Sequence, residues 1–175
     1  MRLSDAAKIA HKCLTVLKTH CERIEIAGSI RRQETEVGDI EIVCIPKHVI
    51  VTQDALFGSP AQQSITSPEF IAQVEKWQEI KGHPTGRYTQ RLLPEGIKLD
   101  LFMTTAQNWG YIYAIRTGPW EYSKYLVTRA KRMGYEPING MLKYRNQQVI
   151  LKEEKDLFDT LNMGYVLPQF RWSKV

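Results

Sequence analysis

Gly28-Ser29-Ile30-Arg31-Arg32 is followed, after six intervening residues, by Asp39-Ile40-Glu41-Ile42-Val43-Cys44-Ile45. The β-branched residues of the second segment predict a strand. Because alternate side chains of a strand share a face, Asp39 and Glu41 point one way, and the alternating apolar residues point into the layer behind. The sequence therefore places two carboxylates on one face of a strand that follows a Gly-Ser turn.

A second acidic strand, Lys98-Leu99-Asp100-Leu101-Phe102, is predicted far downstream, with Lys98 and Asp100 on one face. If the two strands pair, Asp39, Glu41 and Asp100 converge, and carboxylates so close resist joint ionisation. A hard divalent cation with oxygen ligands removes that repulsion. Two Mg²⁺ ions about 3.5–4 Å apart are the usual arrangement for phosphoryl transfer. We therefore interpret the three acids as catalytic residues and metal ligands for Mg²⁺, with Mn²⁺ as an alternative ion.

The turn at Gly28 has the residues of a phosphate site. Glycine lets the backbone approach a phosphate, and Ser29 and Arg32 can donate hydrogen bonds to triphosphate oxygens. Gly38 would likewise admit a ligand close to the backbone. Each part also has a plain structural interpretation: a solvent-facing strand, an ordinary turn, or surface ion pairs. The fixed order of the parts favours nucleotidyl transfer.

This order of motifs resembles the palm of the DNA polymerase β-type nucleotidyltransferases, family X. The resemblance continues in Arg116-Thr117-Gly118-Pro119-Trp120, in residues 129–135, and in residues 154–161 with the downstream Tyr165, Pro168 and Arg171. It implies an α+β fold: a mixed-sheet nucleotidyltransferase palm with flanking helices at residues 1–104, and a small C-terminal α/β thumb at residues 105–175. The thumb would contact the nucleotide and the duplex.

The resemblance also implies residue roles. Asp39 and Glu41 would hold both metals, and Asp100 would join the catalytic metal nearest the primer 3′-hydroxyl. Lys98 occupies the position of an arginine that orients the carboxylates. The implied nucleotide-binding residues are Gly28, Ser29, Arg32, Gly38, Arg116, Gly118 and Trp120. The implied DNA-binding residues are Lys124, Arg129 and Lys131.

Some positions depart from the family pattern. Glu41 stands where the family usually has aspartate. Ile115 and Arg116 stand where several members carry an aromatic pair that packs against the sugar. Val127 stands where some relatives place a template-contacting arginine. Metal preference, sugar discrimination and fidelity are therefore not implied by the resemblance.

With 175 residues, the chain is in the range of a single domain with a real core. The palm motif begins at Gly28, after one predicted helix with Ser4 as its N-cap. We expect no lyase region and no helix-hairpin-helix clamps, which resembles the minimal palm-plus-thumb enzymes known from viruses. This small set of domains is the sole basis for expecting a viral origin. The further expected elements are an exposed loop at 52–68, a helix at 69–80, a strand at 87–93, helices ending at Gly118 and Gly134, a hairpin at 141–151, and a last helix from Glu153.

Composition agrees with an anionic partner. The formal net charge is +5 and the pI is about 9.1, which favours nucleic acid but would also suit another basic protein. The three cysteines lack metal-ligand spacing and fit free thiols in a reducing compartment. No signal peptide and no membrane-spanning run is evident, so we expect a soluble intracellular protein, in the host cytoplasm or nucleus if viral.

We interpret the chain as a DNA-directed DNA polymerase of family X that acts as a monomer. It would add dNMP from a dNTP to a primer 3′-hydroxyl with release of pyrophosphate, on primer–template or gapped DNA, in short-gap repair. One alternative is a template-independent terminal nucleotidyltransferase acting on a terminus, an RNA, a protein or a small molecule. The thumb resemblance argues against the last two acceptors. Another alternative is a catalytically weak DNA-binding accessory protein.

Overall fold

The computed structural model describes residues 1–53 and 61–171. The elements follow in the order α1 (Leu3–Lys18), β1 (Cys21–Ile26), α2 (Gly28–Arg31), β2 (Asp39–Pro46), β3 (His48–Gln53), β4 (Ala61–Thr66), α3 (Pro68–Val74), β5 (Gln78–Lys81), β6 (Tyr88–Leu92), β7 (Lys98–Met103), α4 (Trp109–Thr117), α5 (Trp120–Arg132), β8 (Tyr135–Ile138), β9 (Met141–Tyr144), β10 (Gln147–Gln148), α6 (Glu154–Thr160) and a 3-10 helix (Pro168–Phe170).

A five-stranded mixed sheet in the order β1-β2-β7-β6-β5 carries the acidic residues. Strands β2 and β7 pair directly, in parallel, with Glu41 opposite Asp100 and Asp39 opposite Lys98. The other pairs in this sheet are antiparallel. Because parallel partners in register present their side chains to the same face, the acids of the two strands emerge side by side.

The two faces of this sheet have different neighbours. Helices α1 and α3 cover one face, in a core that includes Leu17, Ile40, Ile42, Phe70, Leu99 and Leu101. The alternate residues Val43 and Phe102 pack on the other face against Trp109 of α4. Since the acids alternate with the α1-facing residues, they lie on the α4 side of the sheet.

A second core lies among α4, α5, α6 and the small sheet β10-β9-β8. It contains Tyr111, Tyr122, Leu126, Leu142, Leu157 and Phe158. Together with the mixed sheet and its flanking helices, this arrangement confirms the α+β class predicted from the sequence. Among the described residues, no helix combines the length and the hydropathy needed to cross a membrane.

Several local predictions were wrong. Residues 61–66 are not loop but the strand β4, which pairs with β3; residues 54–60 lie outside the described part of the chain. Helix α1 begins at Leu3 after Arg2, so Ser4 is not its N-cap. Helix α3 ends at Val74, and residues 78–81 form β5 on the edge of β6. Backbone pairing with β6 outweighs the helical periodicity there, and Glu79 also forms an ion pair of 3.3 Å with the buried Arg91.

Candidate active site

Three carboxylates share the α4 side of the sheet, and the pKa values of Asp39 and Glu41 are raised there. Burial, then the charge of Asp100 and a hydrogen bond with it, raise the pKa of Asp39. Burial, then the charges of Asp39 and Asp100, raise the pKa of Glu41 to about 7. Arg32 opposes both shifts, with help from Lys98 at Asp39 and from Arg116 at Glu41. Joint ionisation is therefore costly, which is the electrostatic condition that a bound cation relieves.

The three acids are not arranged as a complete set of metal ligands in this structure. Within residues 1–53 and 61–171, no group of three His, Cys, Asp or Glu side chains is arranged to hold a metal ion. The Glu41 carboxylate instead lies over the backbone of Gly28, so close that a Cβ on Gly28 would collide with it. The donor set fits a hard divalent cation by charge and chemistry, and holding one requires these side chains to rearrange.

Asp100 is held by strand β6. Its Oδ1 accepts hydrogen bonds from the Tyr88 hydroxyl at 2.6 Å and from Gln90 Nε2 at 2.7 Å. Burial, then the bond to Asp100, raises the pKa of Tyr88, which keeps the phenol protonated as a donor. Neither residue was predicted from the sequence; the only signal was their alternation on the predicted strand at 87–93. Lys98 is exposed, and within the described residues it makes no hydrogen bond to a carboxylate.

The Gly-Ser turn forms the one-turn helix α2, directly beside β2. Gly28 has φ +59°, a conformation that residues with a side chain rarely adopt. The Ser29 hydroxyl is buried and has no hydrogen-bond partner in the described part of the chain. A buried polar group without a partner costs free energy, so this hydroxyl is suited to an oxygen of a bound ligand.

Replacing Gly28 by alanine is expected to destabilise the protein by about 1–2 kcal/mol from the left-handed backbone alone, with a further loss because Glu41 must move. Gly38→Ala is the matched control, since a Cβ there meets nothing within 4 Å and its φ is not positive. Urea denaturation of both variants measures the difference. Equal stability of the two variants would contradict this account of the turn.

Both arginines of the motif bind the C-terminal half of the chain. Arg32 Nη1 donates to the Thr117 carbonyl at 2.8 Å, at the end of α4. Arg31 makes a two-pronged ion pair with Glu154, at 2.8 Å for each contact, and also donates to the Thr117 hydroxyl at 2.6 Å. Arg171, whose side chain is fully buried, holds the same carboxylate at 2.9 Å. This Glu154 network, which was not predicted from the sequence, connects the Gly-Ser turn to α6.

A cleft of about 470 Å³ opens between Arg32, Glu41 and the start of α5. Its walls include all three predicted nucleotide-binding residues of the C-terminal half. These residues are Arg116, Gly118 and Trp120, which join Arg32, Glu41 and Lys124. Trp120 is 70% exposed, and the Lys124 ammonium lies 4.7 Å from the centre of its ring. The cleft thus combines cations with an open aromatic surface beside the acids. Gly38 adds open space next to Asp39.

The predicted DNA-binding residues of α5 do not share one environment. Lys124 lines the cleft, and Lys131 is exposed seven positions later, on the same side of the helix. Arg129 lies elsewhere: its guanidinium donates to the carbonyls of Leu161 at 2.8 Å and Asn162 at 3.2 Å. Arg129 therefore fastens α5 to the end of α6 in this structure.

Comparison with known proteins bears on the fold. No protein-family model matches the chain, and no curated protein matches it in sequence. The crystal structure of Leishmania infantum polymerase beta, a ternary P/T complex, is similar with a TM-score of 0.68 and 18% identity. The likeness covers 98% of this chain and 76% of that chain. The chain therefore has a polymerase β-like fold.

Proposed function

We propose that the protein is a family X DNA-directed DNA polymerase, which adds dNMP to a primer 3′-hydroxyl and releases pyrophosphate during short-gap repair. The observation that carries this proposal is the parallel register of β2 and β7, with Glu41 beside Asp100 and Asp39 on the same face. A polymerase β-like fold surrounds these acids. The unpartnered Ser29 hydroxyl lies at the adjacent turn.

In this proposal Asp39, Glu41 and Asp100 hold two Mg²⁺ ions, or Mn²⁺. The ions would lower the pKa of the attacking hydroxyl and neutralise charge on the phosphates. The chain's own residues bind and orient the nucleotide. Ser29 and Arg32 would donate to phosphate oxygens, and Trp120 would cover the base. Gly38 would leave room for the phosphates, and Gly28 would do so once the Glu41 carboxylate moves away from it. Arg116 and Gly118 line the cleft beside Glu41.

We further propose that residues 1–104 act as the palm and residues 105–175 as the thumb of a monomer. The Lys124 and Lys131 side of α5 would follow the DNA backbone, which fits the chain's net charge of +5. The described cysteines are free and buried, which fits the reducing compartment of a cell.

The experiment that tests this function is primer extension with each single dNTP, on a one-nucleotide-gapped duplex and on a bare single strand, with Mg²⁺ and then Mn²⁺. Addition of the complementary nucleotide alone, on the gapped duplex, is the expected result. Indiscriminate addition to the single strand would instead identify a terminal transferase. No addition with either ion would overturn the catalytic proposal in favour of a DNA-binding accessory protein.

The raised pKa of Glu41, about 7 against an ordinary 4.5, predicts a pH effect on stability without metal. The folded protein retains a proton that the unfolded chain loses above pH 4.5, so the free energy of unfolding falls as pH rises toward 7. Glu41→Gln removes this penalty and is expected to stabilise the metal-free protein at pH 8 by up to about 3 kcal/mol.

Denaturation in EDTA at pH 8 and at pH 4 measures this effect, because the variant should gain nothing at the lower pH. Added Mg²⁺ should then stabilise the wild type at pH 8 more than it stabilises Glu41→Gln. A pH-independent difference between the two proteins would contradict the charge repulsion at Glu41.

The α5 surface makes a separate prediction. Replacing Lys124 and Lys131 together by alanine should weaken DNA binding and reduce the salt slope by about 0.9 for each phosphate that the variant no longer neutralises. A variant with Arg132→Ala and Lys155→Ala removes the same charge from exposed positions on α5 and α6 away from the cleft. Fluorescence anisotropy across a salt series compares the two. An equal change of slope in both variants would place the DNA surface elsewhere.

A further inference from the structure

Strand β6 supplies two hydrogen-bond donors to a single oxygen of Asp100. It runs antiparallel to β7, with Gln90 directly opposite Asp100 and Tyr88 opposite Phe102. As a result, the Tyr88 hydroxyl and Gln90 Nε2 reach Oδ1 at 2.6 Å and 2.7 Å. Both distances are at the short end of the range for their type of hydrogen bond.

These two bonds leave the carboxylate with one free oxygen. Each carboxylate oxygen has about two lone-pair sites, and both sites of Oδ1 are occupied by β6. No side-chain donor of another element in the described ranges reaches Oδ2. The Asp100 carboxyl also shares a hydrogen bond with the neighbouring carboxyl of Asp39. Asp100 therefore offers Oδ2 alone to whatever binds between the acids.

The Tyr88 ring is packed against side chains of β7 and β5. Its ring stacks on Phe102 with the centroids 5.1 Å apart and the planes inclined by 26°. The Arg116 guanidinium lies 4.1 Å from the centre of the Phe102 ring, and the Lys81 ammonium lies 5.3 Å from that of Tyr88. The Tyr88 ring therefore contacts Phe102 and Lys81 of β5, and Phe102 is in turn covered by Arg116 of α4.

The family resemblance implies that Lys98 orients the carboxylates, but Lys98 donates no hydrogen bond to Asp100 among the residues that this structure describes. Lys98 is exposed and is paired in register with Asp39. In residues 1–53 and 61–171, the side-chain donors that reach Asp100 are those of β6. The orienting task at Asp100 therefore falls to another strand.

We propose that Tyr88 and Gln90 are positioning residues that restrict Asp100 to ligation through Oδ2 and thereby favour Mg²⁺ over Ca²⁺ at the reaction centre. This inference rests on the proposed polymerase function. Mg²⁺ demands near-ideal octahedral geometry with short bonds, whereas Ca²⁺ accepts six to eight oxygens and readily takes both oxygens of one carboxylate. Freeing Oδ1 allows the two-oxygen mode and reduces the preference for Mg²⁺.

The test uses Tyr88→Phe, Gln90→Leu and the double variant, with Tyr144→Phe as the matched control. Tyr88→Phe keeps the ring that stacks on Phe102 and removes only the hydroxyl donor. Tyr144→Phe removes a hydroxyl in the same way from an exposed tyrosine on β9. Mn²⁺ binding to the protein without DNA or nucleotide is followed by electron paramagnetic resonance, and Mg²⁺ or Ca²⁺ is used to displace it. Single-nucleotide addition on gapped DNA is measured in parallel.

The double variant is expected to lose about 10–100-fold in Mg²⁺ affinity, the usual effect of removing groups that orient a metal ligand, while Ca²⁺ affinity is kept or increased. In the addition assay kcat should fall, with the KM for dNTP unchanged. Equal losses for Mg²⁺ and Ca²⁺, or no loss of Mg²⁺ affinity, would overturn the proposal. A wild type that shows the metal preference but adds no nucleotide would overturn the polymerase function instead, and one that binds no Mn²⁺ would overturn both.

Discussion

Asp100→Asn is expected to reduce nucleotide addition by about 10³-fold, the upper end of the loss for one preorganised electrostatic group. Asparagine keeps an oxygen that can accept the bonds from Tyr88 and Gln90, so the fold should persist. What it removes is the negative charge beside Asp39 and Glu41. Single-turnover incorporation on gapped DNA with Mg²⁺ measures the loss.

Asp159→Asn is the matched control for this change. Asp159 is an exposed carboxylate on α6, and its replacement should leave incorporation within about 2-fold, because surface substitutions away from special features have small effects. Appreciable turnover by Asp100→Asn, with the control unaffected, would refute the assignment of Asp100 as a catalytic metal ligand.

Glu154→Gln is expected to lower the free energy of unfolding by about 3–5 kcal/mol, the usual loss when one partner of a buried ion pair is removed. The Glu154 side chain is 7% exposed and that of Arg171 is fully buried. Glutamine cannot neutralise Arg31 and Arg171 together, and it is a poorer acceptor for their hydrogen bonds. Urea denaturation at pH 7 measures the loss.

The adjacent Glu153 provides the control for Glu154. It pairs with Arg23 at 2.7 Å, but its side chain is 60% exposed, so Glu153→Gln should cost no more than about 1 kcal/mol. Similar losses for the two variants would contradict the role given to burial.

Lowering the pH should weaken the ion pairs of Glu154 with Arg31 and Arg171 and thereby lower the free energy of unfolding. Burial alone would raise the pKa of Glu154, but hydrogen bonds from Arg31 and Arg171 outweigh it and hold the pKa below the ordinary 4.5. The stabilisation is therefore complete above pH 4.5 and is lost as pH falls through the folded-state pKa. Glu154→Gln should accordingly weaken the dependence of stability on pH in this acidic range.

Alternation along the chain was sufficient to predict β2 and β7 and the faces of their side chains, because period-2 patterning is a local property of a buried strand. The family resemblance carried by the Gly-Ser turn, the two acidic strands and the C-terminal motifs was sufficient for the fold class, which the structure and its polymerase β-like neighbour confirm. The roles of Asp39, Glu41 and Asp100 stay predictions that rest on chemistry and resemblance.

Local pattern failed where pairing with a neighbouring strand decided the conformation. Residues 78–81 continue the helical periodicity of α3, yet they pair with β6. Residues 61–66 are rich in small polar side chains, yet they form a hairpin with β3. In both cases the hydrogen bonds of a strand partner outweigh a weak intrinsic preference.

The sequence by itself determined which faces of β2 and β7 carry carboxylates and which turn precedes them. Only the tertiary structure decided what holds those groups. Tyr88 meets Asp100 through the register of β6 and β7, Arg31 meets Glu154 across 123 positions of the chain, and Arg129 is drawn to the end of α6. The periodicity of a segment indicates which face each side chain lies on, but the partner of that side chain depends on packing between segments that are far apart in sequence.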